Sequence, residues 1–303
     1  MWIKNLTVFS AKDPFTWPVS ELEAQLENAR CQPCGSQSPS SEGFVPPLKG
    51  EERMVFAVEG FVYCVHQEIT RLLPGPVIKE ELDERVEQIQ ERDDRRVGRK
   101  ERAELKEQIT FELLPRAFTR SRRTGVLIDL ERGRILVDSS SSTRAEQVVS
   151  ALREALGSLP VTHAGGESAP TTAFAGWLRD HRQLPEDFGL GDRCELKDVK
   201  GEGASVRFTA VDLGREEILA HLDTDMVPVR VNLSWNDQLE FDLTDGLDLK
   251  RIKALDQFQE NLDGMEADDA VAELMARISL QGNALRNLLD GIYQYFQVKA
   301  DAA

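Results

Sequence analysis

Residues 124–138 read TGVLIDLERGRILVD. Two runs rich in Val, Ile and Leu flank the sequence Glu131-Arg132-Gly133. Branched aliphatic residues favour strands, and a glycine in the connection is typical of a tight turn. The segment therefore predicts a β-hairpin. A second strand pair is predicted upstream in MVFAVEGFVYCVH (54–66), with a tight turn at Glu59-Gly60.

Between these strand pairs the chain changes to a helical period. After Pro74-Gly-Pro76, the run to Asp94 carries an apolar stripe, and a second run over 99–114 carries another. The stripe residues are Ile78, Leu82, Val86 and Ile89 in the first run and Leu105, Ile109 and Leu113 in the second. Stripes this narrow suit a seam between two helices rather than a broad core-facing surface. We predict a projecting αα-hairpin with its tip near residues 93–99.

The rest of the chain mixes strands and helices without a regular βαβ order, which predicts the α+β class. We expect a strand over 3–9, a helix over 19–29, a loop over 31–50, further strands in the last third and a long C-terminal helix. The pattern divides the chain into a central α+β domain (1–75 and 116–170), a helical hairpin (76–115) and a C-terminal α+β region (171–303).

The composition is that of a globular protein. The chain has 303 residues, 41% of them hydrophobic and 30% charged. No stretch approaches the ~18 apolar residues of a membrane span, and MWIKNLTVFS lacks the apolar core of a signal peptide. We therefore expect a cytoplasmic protein with no membrane partner.

Two of the four cysteines, Cys31 and Cys34, form the motif CQPC. A zinc site needs a second pair of ligands at suitable spacing, and a thioredoxin-type motif opens a helix after a strand. Here the motif follows a predicted helix and enters a Gly/Ser/Pro-rich loop. The pattern favours reduced thiols near a helix end, and their role stays open.

Charge is strongly segregated along the chain. The formal net charge is −16, and residues 185–303 hold 25 acidic and 12 basic residues. By contrast, residues 92–102 hold six basic and three acidic residues, and residues 116–123 hold four arginines and no acid. The basic residues of these stretches, with two from the β-hairpin, are Arg92, Arg95, Arg96, Arg99, Lys100, Arg102, Arg116, Arg120, Arg122, Arg123, Arg132 and Arg134.

These clusters have more than one explanation. The first could be a solvated helix tip, and the arginines of the second could pair with the protein's own carboxylates. Two such clusters on neighbouring segments of an acidic chain favour an anionic partner, and nucleic acid is the obvious one. Phe118, between the arginines, could pack in a core, pack on a second subunit or stack on a base; we favour packing over stacking.

Catalytic patterns are sparse. The chain has no P-loop motif, no G-x-S-x-G motif and four scattered histidines. Asp129 and Asp138 lie on adjacent β-rich runs and could bind Mg²⁺ in a nuclease, with Asp242 and Asp245 as further candidates. Such coincidences are expected in an acidic chain, so we predict no enzymatic activity, no metal and no cofactor. A metal-dependent nuclease remains the alternative.

Several segments together resemble the bacterial RdgC family. They are MWIKNLTVF at the start, CGSQ (34–37), GFVPP (43–47), LLPGPVIKEEL (72–82), LLPRAFTR (113–120), VLIDLERGRILVD (126–138) and LGSLPV (156–161). The likeness is dense over about residues 1–161 and looser beyond. In FTAVDL (208–213), Ala210 and Val211 cannot contact phosphate, which weakens the expected DNA contact of that stretch.

The resemblance implies a DNA-binding protein of the nucleoid without enzymatic activity. Two horseshoe-shaped subunits would form a ring-shaped homodimer with mixed sheets, enclosing double-stranded DNA and also binding single strands without sequence preference. The family is associated with restraint of recombinase filaments, so a recombinase is an expected partner. By the same resemblance, Phe118 would lie at a subunit contact. A protein-interaction module that docks a recombinase through the helical hairpin is a further alternative.

Overall fold

The computed structural model describes residues 3–163, 169–198, 203–264 and 269–298. Its first sheet has the strand order β2-β4-β5-β6-β1-β7, with β3 paired to β4. The strands are β1 (Thr7–Ser10), β2 (Ser40–Val45), β3 (Phe56–Val58), β4 (Phe61–Leu72), β5 (Phe118–Asp129), β6 (Arg134–Val137) and β7 (Thr162–His163).

The second sheet has the order β12-β11-β10-β8-β9. Its strands are β8 (Phe188–Asp198), β9 (Ser205–Thr209), β10 (Met226–Trp235), β11 (Leu239–Thr244) and β12 (Leu249–Ala254). Both sheets are antiparallel. The α+β class is thus confirmed, whereas the expectation of mixed sheets is wrong. The pairs β3–β4, β5–β6, β10–β11 and β11–β12 are joined by short turns, and short turns pair strands antiparallel.

The helices account for most of the remaining described chain. They are α1 (Val19–Asn28), α2 (Gly75–Asp93), α3 (Arg99–Leu113), α4 (Ser142–Leu156), α5 (Pro170–Arg179), α6 (Glu216–Asp223), α7 (Asp256–Asp263) and α8 (Ala270–Phe296). Short 3₁₀ turns cover Leu114–Arg116 and His181–Gln183. Within the described ranges, no helix combines the length and apolar character needed to cross a membrane.

The chain forms two compact units. The large unit comprises Met1–Asn28, Pro46–Val65 and Thr124–Ala303, and the small unit comprises Ala29–Val45 and His66–Arg123. The small unit holds 15 basic and 14 acidic residues and so has a net charge of +1, whereas the large unit has a net charge of −17. The charge segregation seen in the sequence therefore coincides with a division of the fold.

Both predicted β-hairpins form. In the first, Val126 to Asp129 pair with Val137 to Arg134, so TGVLIDLERGRILVD folds back on itself as expected. In the second, β3 pairs with β4 through Glu59-Gly60, whose φ angles of 51° and 78° match the two left-handed positions of a type I′ turn.

The C-terminal helix is confirmed and lies in the core of the large unit. One side of α8 is buried along most of its length. Gly282 allows the closest approach, because a Cβ there would lie 2.8 Å from the Phe61 ring. Two of the predicted boundaries are wrong. The first strand begins at Thr7 rather than residue 3, and the predicted loop 31–50 contains strand β2.

The helical hairpin of the small unit is confirmed as α2 and α3. Leu82, Val86 and Ile109 are buried in its seam, and Ile78, Val97, Leu105 and Leu113 pack against them. The remaining positions are mostly charged. Residues 79–91 and 103–114, which form the stem, hold three basic and nine acidic residues, whereas the tip (92–102) has a net charge of +3.

Candidate nucleic-acid interface

The first six residues of β5 (118–123), which we call the arginine strand, are all exposed. Side chains alternate along a strand, so Phe118, Arg120 and Arg122 share one face, spaced about 7 Å apart, and Arg123 lies on the other. Phe118 is 84% exposed, the highest value among the large apolar side chains described. The sequence FTRSRR thus forms a solvent-facing strand, and Phe118 has no core position within the chain.

Three arginines of this region have no ion pair among the described residues. They are Arg116, at the end of the 3₁₀ turn, and Arg120 and Arg122 on the arginine strand. Their positions place three unneutralised guanidinium groups beside one exposed phenyl ring. Unpaired arginines with free donors are suited to bind phosphate or carboxylate oxygens.

Most of the basic residues at the hairpin tip form ion pairs within the chain, which the sequence alone does not indicate. Arg95 makes two hydrogen bonds of 2.7 Å to Glu101, and Arg92 pairs with Asp93 at 2.7 Å. The hydrogen bond from Arg95 is the main reason that the pKa of Glu101 is lowered. Arg102 pairs with Asp83, and Lys100 lies 3.9 Å from Glu104.

Only two of the six basic residues of the tip remain without an ion pair in the described chain. They are Arg96 and Arg99, and both are exposed. The acidic stem lies between them and the arginine strand. Since α2 has 19 residues, the two cationic regions are separated by about 28 Å of helix.

Arg132 and Arg134 have a different setting, inside the large unit. Both pair with Asp290 of α8, at 3.0 and 2.7 Å. The Arg134 side chain is 9% exposed and its guanidinium lies 4.5 Å from the centre of the Tyr293 ring. These two arginines neutralise the Asp290 carboxylate and are therefore weaker candidates for an external anion than the arginines of the small unit.

Arg71 is a residue that sequence reasoning missed. From β4, its guanidinium donates hydrogen bonds to the carbonyl oxygens of Leu114, Pro115 and Ala117, at 2.9 to 3.3 Å. It also reaches the carbonyls of Cys34 and Gly35, at 3.4 and 3.1 Å. One side chain therefore holds the CGSQ loop and the turn that leads directly into Phe118.

Neither cysteine of the CQPC motif forms a disulfide. Cys31 and Cys34 are both half-buried free thiols, as the reduced-thiol interpretation expects. Burial is the main cause that raises the pKa of the Cys31 thiol, which favours the unreactive protonated form. The Cys34 thiol contacts the Ser38 carbonyl oxygen at 3.0 Å.

The carboxylates considered for a nuclease do not converge. Asp129 lies opposite Arg134 at one end of the β5–β6 hairpin, and Asp138 follows Val137 at the other end, about 13 Å away along the strand. Asp129 accepts two hydrogen bonds of 2.8 Å from Arg286, and Asp138 accepts the backbone N–H groups of Lys4 and Asn5. Among the described residues, no group of three His, Cys, Asp or Glu side chains is placed to hold a metal ion.

Asp242 and Asp245, the further candidates, do not form a joint site either. Asp242 is buried on β11 and pairs with Arg193 and Arg251, at 3.2 and 3.3 Å. Asp245 lies in the turn after β11, where its backbone N–H donates to the Val229 carbonyl. Arginine partners occupy the Asp242 carboxylate that a metal ion would need.

Comparison with known proteins agrees with the sequence resemblance. The family model described as "Putative exonuclease, RdgC" matches residues 1–299. The recombination-associated protein RdgC of Shewanella sp. (strain ANA-3) is 37% identical over 294 residues, 96% of each chain. The protein of the same name from Laribacter hongkongensis is 38% identical over 290 residues, 95% of this chain and 96% of the relative.

A third relative, from Pseudomonas fluorescens (strain Pf0-1), carries the same name and is 37% identical over 92% of each chain. Matches of this extent define membership, and the chain belongs to the RdgC family. The family description and the relatives' names point in different directions, one to nuclease activity and the others to recombination.

The contacts of Arg71 generate a stability prediction. Arg71→Ala leaves several carbonyl oxygens without their donor, so we expect the free energy of unfolding of the small unit to fall by about 3 kcal/mol. Urea unfolding, together with protease cleavage near residues 34–39 and 114–117, measures the effect. Arg92→Ala, which removes an exposed ion pair with Asp93 in the same unit, is the matched control and should change little. Equal effects of the two variants would contradict the role assigned to Arg71.

Proposed function

We propose that this chain is a non-sequence-specific DNA-binding protein that acts in recombination. The observation that carries the proposal is the exposed arginine strand, where Arg120 and Arg122 lie beside Phe118 without an ion pair to any described residue, in a chain of net charge −16. The relatives are named recombination-associated proteins, which supports a role at DNA. Cationic side chains that neutralise phosphates give affinity without reading bases.

In this proposal the protein is a homodimeric ring that encloses duplex DNA and also binds single strands. Phe118 supplies one of the contacts between subunits. Its phenyl ring is 84% exposed in a single chain, and removing this apolar surface from water by packing against the second subunit is favourable. Arg96 and Arg99 at the hairpin tip and Arg116, Arg120 and Arg122 at the arginine strand contact phosphates. The protein would be nucleoid-associated in the cytoplasm and would limit recombinase filaments by occupying DNA.

The competing candidate is a nuclease, which the family description favours. Against it stand the separation of Asp129 from Asp138 and the internal partners of both carboxylates. A two-metal nuclease holds its ions about 4 Å apart with shared carboxylates, and these two residues cannot share an ion across ~13 Å. A docking module for a recombinase is a third candidate, and it predicts recombinase binding in the absence of DNA.

Salt dependence tests the DNA contact of the arginine strand. For Arg116→Ala/Arg120→Ala/Arg122→Ala we expect the slope of log K against log salt on duplex DNA to become shallower by about 3, since each phosphate contact contributes about 0.9. All sequences should weaken alike. Arg179→Ala/Arg182→Ala/Arg215→Ala removes the same charge from ion-paired positions of the large unit and should leave the slope within experimental error. An unchanged slope in the first variant would contradict the proposal.

The subunit contact is tested through Phe118. For Phe118→Ala we expect weaker self-association by about tenfold or more in sedimentation velocity, because a central aromatic at an interface commonly contributes over 1 kcal/mol. Thermal unfolding of the monomer should not change, since the ring buries little within the chain. Phe111→Ala, which removes a phenyl ring that is 59% exposed on α3, is the control. A sedimentation profile and a DNA affinity that both match those of the unmodified protein would exclude this role.

Cleavage assays separate the binding protein from the nuclease. We expect linear and closed circular DNA to remain intact on incubation with the protein and Mg²⁺ or Mn²⁺, because the carboxylates of Asp129, Asp138 and Asp242 already bind groups of the chain itself. Asp138→Asn is the informative variant, since it keeps the shape of the residue at the end of β6. Reproducible cleavage that Asp138→Asn abolishes would establish the nuclease instead.

A further inference from the structure

The second sheet of the large unit has two chemically distinct faces. Alternate residues of β8, β10 and β11 are apolar and buried, among them Leu196, Val231 and Phe241. On the apolar side, Leu239 and Ile252 lie against Phe258 of α7 and Leu285 of α8. The residues between them form the opposite face, which we call the polar sheet face.

The polar sheet face is cationic although its surroundings are acidic. Strand register places Glu195 between Arg207 of β9 and Arg230 of β10, and Asn232 opposite Asp242. Six basic residues share this face with three carboxylates, whereas residues 185–303 as a whole have a net charge of −13. The basic residues are Arg193, Lys197, Arg207, Arg230, Arg251 and Lys253, and the acidic residues are Glu195, Glu240 and Asp242. Counting Asp192 at the end of the face, which pairs with Arg193, still leaves an excess of two positive charges.

Four arginines of this face converge on one small cleft of about 40 Å³. Arg193, Arg207, Arg230 and Arg251 line it, together with Glu195 and Asp242. The carboxylates hold the guanidinium groups in place: Glu195 contacts Arg207 at 3.1 Å and Arg230 at 3.7 Å, and Asp242 contacts Arg193 and Arg251. Arg193 also pairs with Glu240 at 2.6 Å and with Asp192 at 3.3 Å, so its donors are used within the chain. Donors for another anion therefore remain mainly on Arg207 and Arg251, whose side chains are 70% and 59% exposed.

The backbone at this cleft is strained where it presents Arg251. Arg251 has a φ angle of 53°, in the left-handed region that a long side chain rarely adopts. It lies at a register shift between β11 and β12, and its side chain remains 59% exposed. Bulges of this kind re-aim a side chain, here towards the cleft beside Asp242.

We propose that the polar sheet face is a second binding surface for the phosphodiester backbone of DNA, centred on Arg207 and Arg251. The inference rests on the proposed function and extends it to a region that the sequence marks as acidic. Charge complementarity indicates that the partner is a phosphodiester. Each guanidinium group presents a planar pair of N–H donors, and such pairs bind phosphate oxygens. Guanidinium groups that bind phosphate oxygens read no base edges, so this surface carries no sequence preference.

The test is duplex binding by Arg207→Ala/Arg251→Ala as a function of salt. We expect affinity to fall about tenfold and the salt slope to become shallower by about 2, one unit for each lost phosphate contact. The fold should survive, because Glu195 keeps Arg230 and Asp242 keeps Arg193. Should the double variant not fold, Arg207→Ala alone on exposed strand β9 gives half the change in slope.

The matched control is Arg179→Ala/Arg182→Ala, which removes two exposed, ion-paired arginines from α5 and the following 3₁₀ turn of the same unit. This control should bind DNA within twofold of the unmodified protein. If the Arg207/Arg251 variant matches the control, the inference is overturned while the proposed function stands. A loss of affinity accompanied by a loss of self-association assigns the face to a protein contact and also overturns it. Failure of the unmodified protein to bind duplex DNA would instead refute the proposed function.

Discussion

The ion pair between Arg286 and Asp129 is the interaction on which the large unit depends. Arg286 of α8 donates two hydrogen bonds of 2.8 Å to Asp129, pairs with Glu131 and lies over the Phe61 ring at 4.0 Å. Both ionic groups are shielded from water, with side-chain exposures of 11% and 2%. Removing one partner of such a pair leaves a buried charge at a cost of about 3–5 kcal/mol. Both β-hairpins of the large unit and the C-terminal helix therefore form a stable core only together.

Other turns of α8 also bind charged side chains of the two β-hairpins. Glu59 of the β3–β4 turn accepts hydrogen bonds from Ser279 and Asn283, and Asp290 pairs with Arg132 and Arg134. Many carboxylates of this acidic chain are thus internal counter-ions to its arginines. The basic residues accordingly fall into two kinds: those that complete the fold, such as Arg134, and those left without an ion pair in the described chain, such as Arg120 and Arg122. Basic residues of the second kind are the candidates for binding an external anion, because their charge is not neutralised by a described carboxylate.

Sequence patterns predicted the parts of the fold whose signals are local. The β-hairpin at 124–138 follows from branched residues around Glu131-Arg132-Gly133, and the helical hairpin follows from apolar stripes one side chain wide. The extension of β5 towards its N-terminus, as far as Phe118, could not be predicted, because FTRSRR has no apolar alternation and becomes a strand only by pairing. Likewise, the internal partner of Arg134 is Asp290, 156 positions away, and no local pattern reports such a pairing. Arg71 was missed for the same reason, since the carbonyls it binds come from two distant segments.

A net charge of −16 does not oppose the binding of DNA at the arginine strand, because screening makes the interaction local. At physiological ionic strength the Debye length is about 8 Å, so exposed charges farther away contribute little. No acidic residue occurs from Leu113 to Ile128, and the six exposed residues of the arginine strand alone extend about 20 Å. A phosphate held at Arg120 and Arg122 therefore responds mainly to the cations beside it. Within the small unit, the nine acidic and three basic residues of the stem confine the positive electrostatic potential to the hairpin tip and the arginine strand, because their own negative charge is screened beyond about 8 Å.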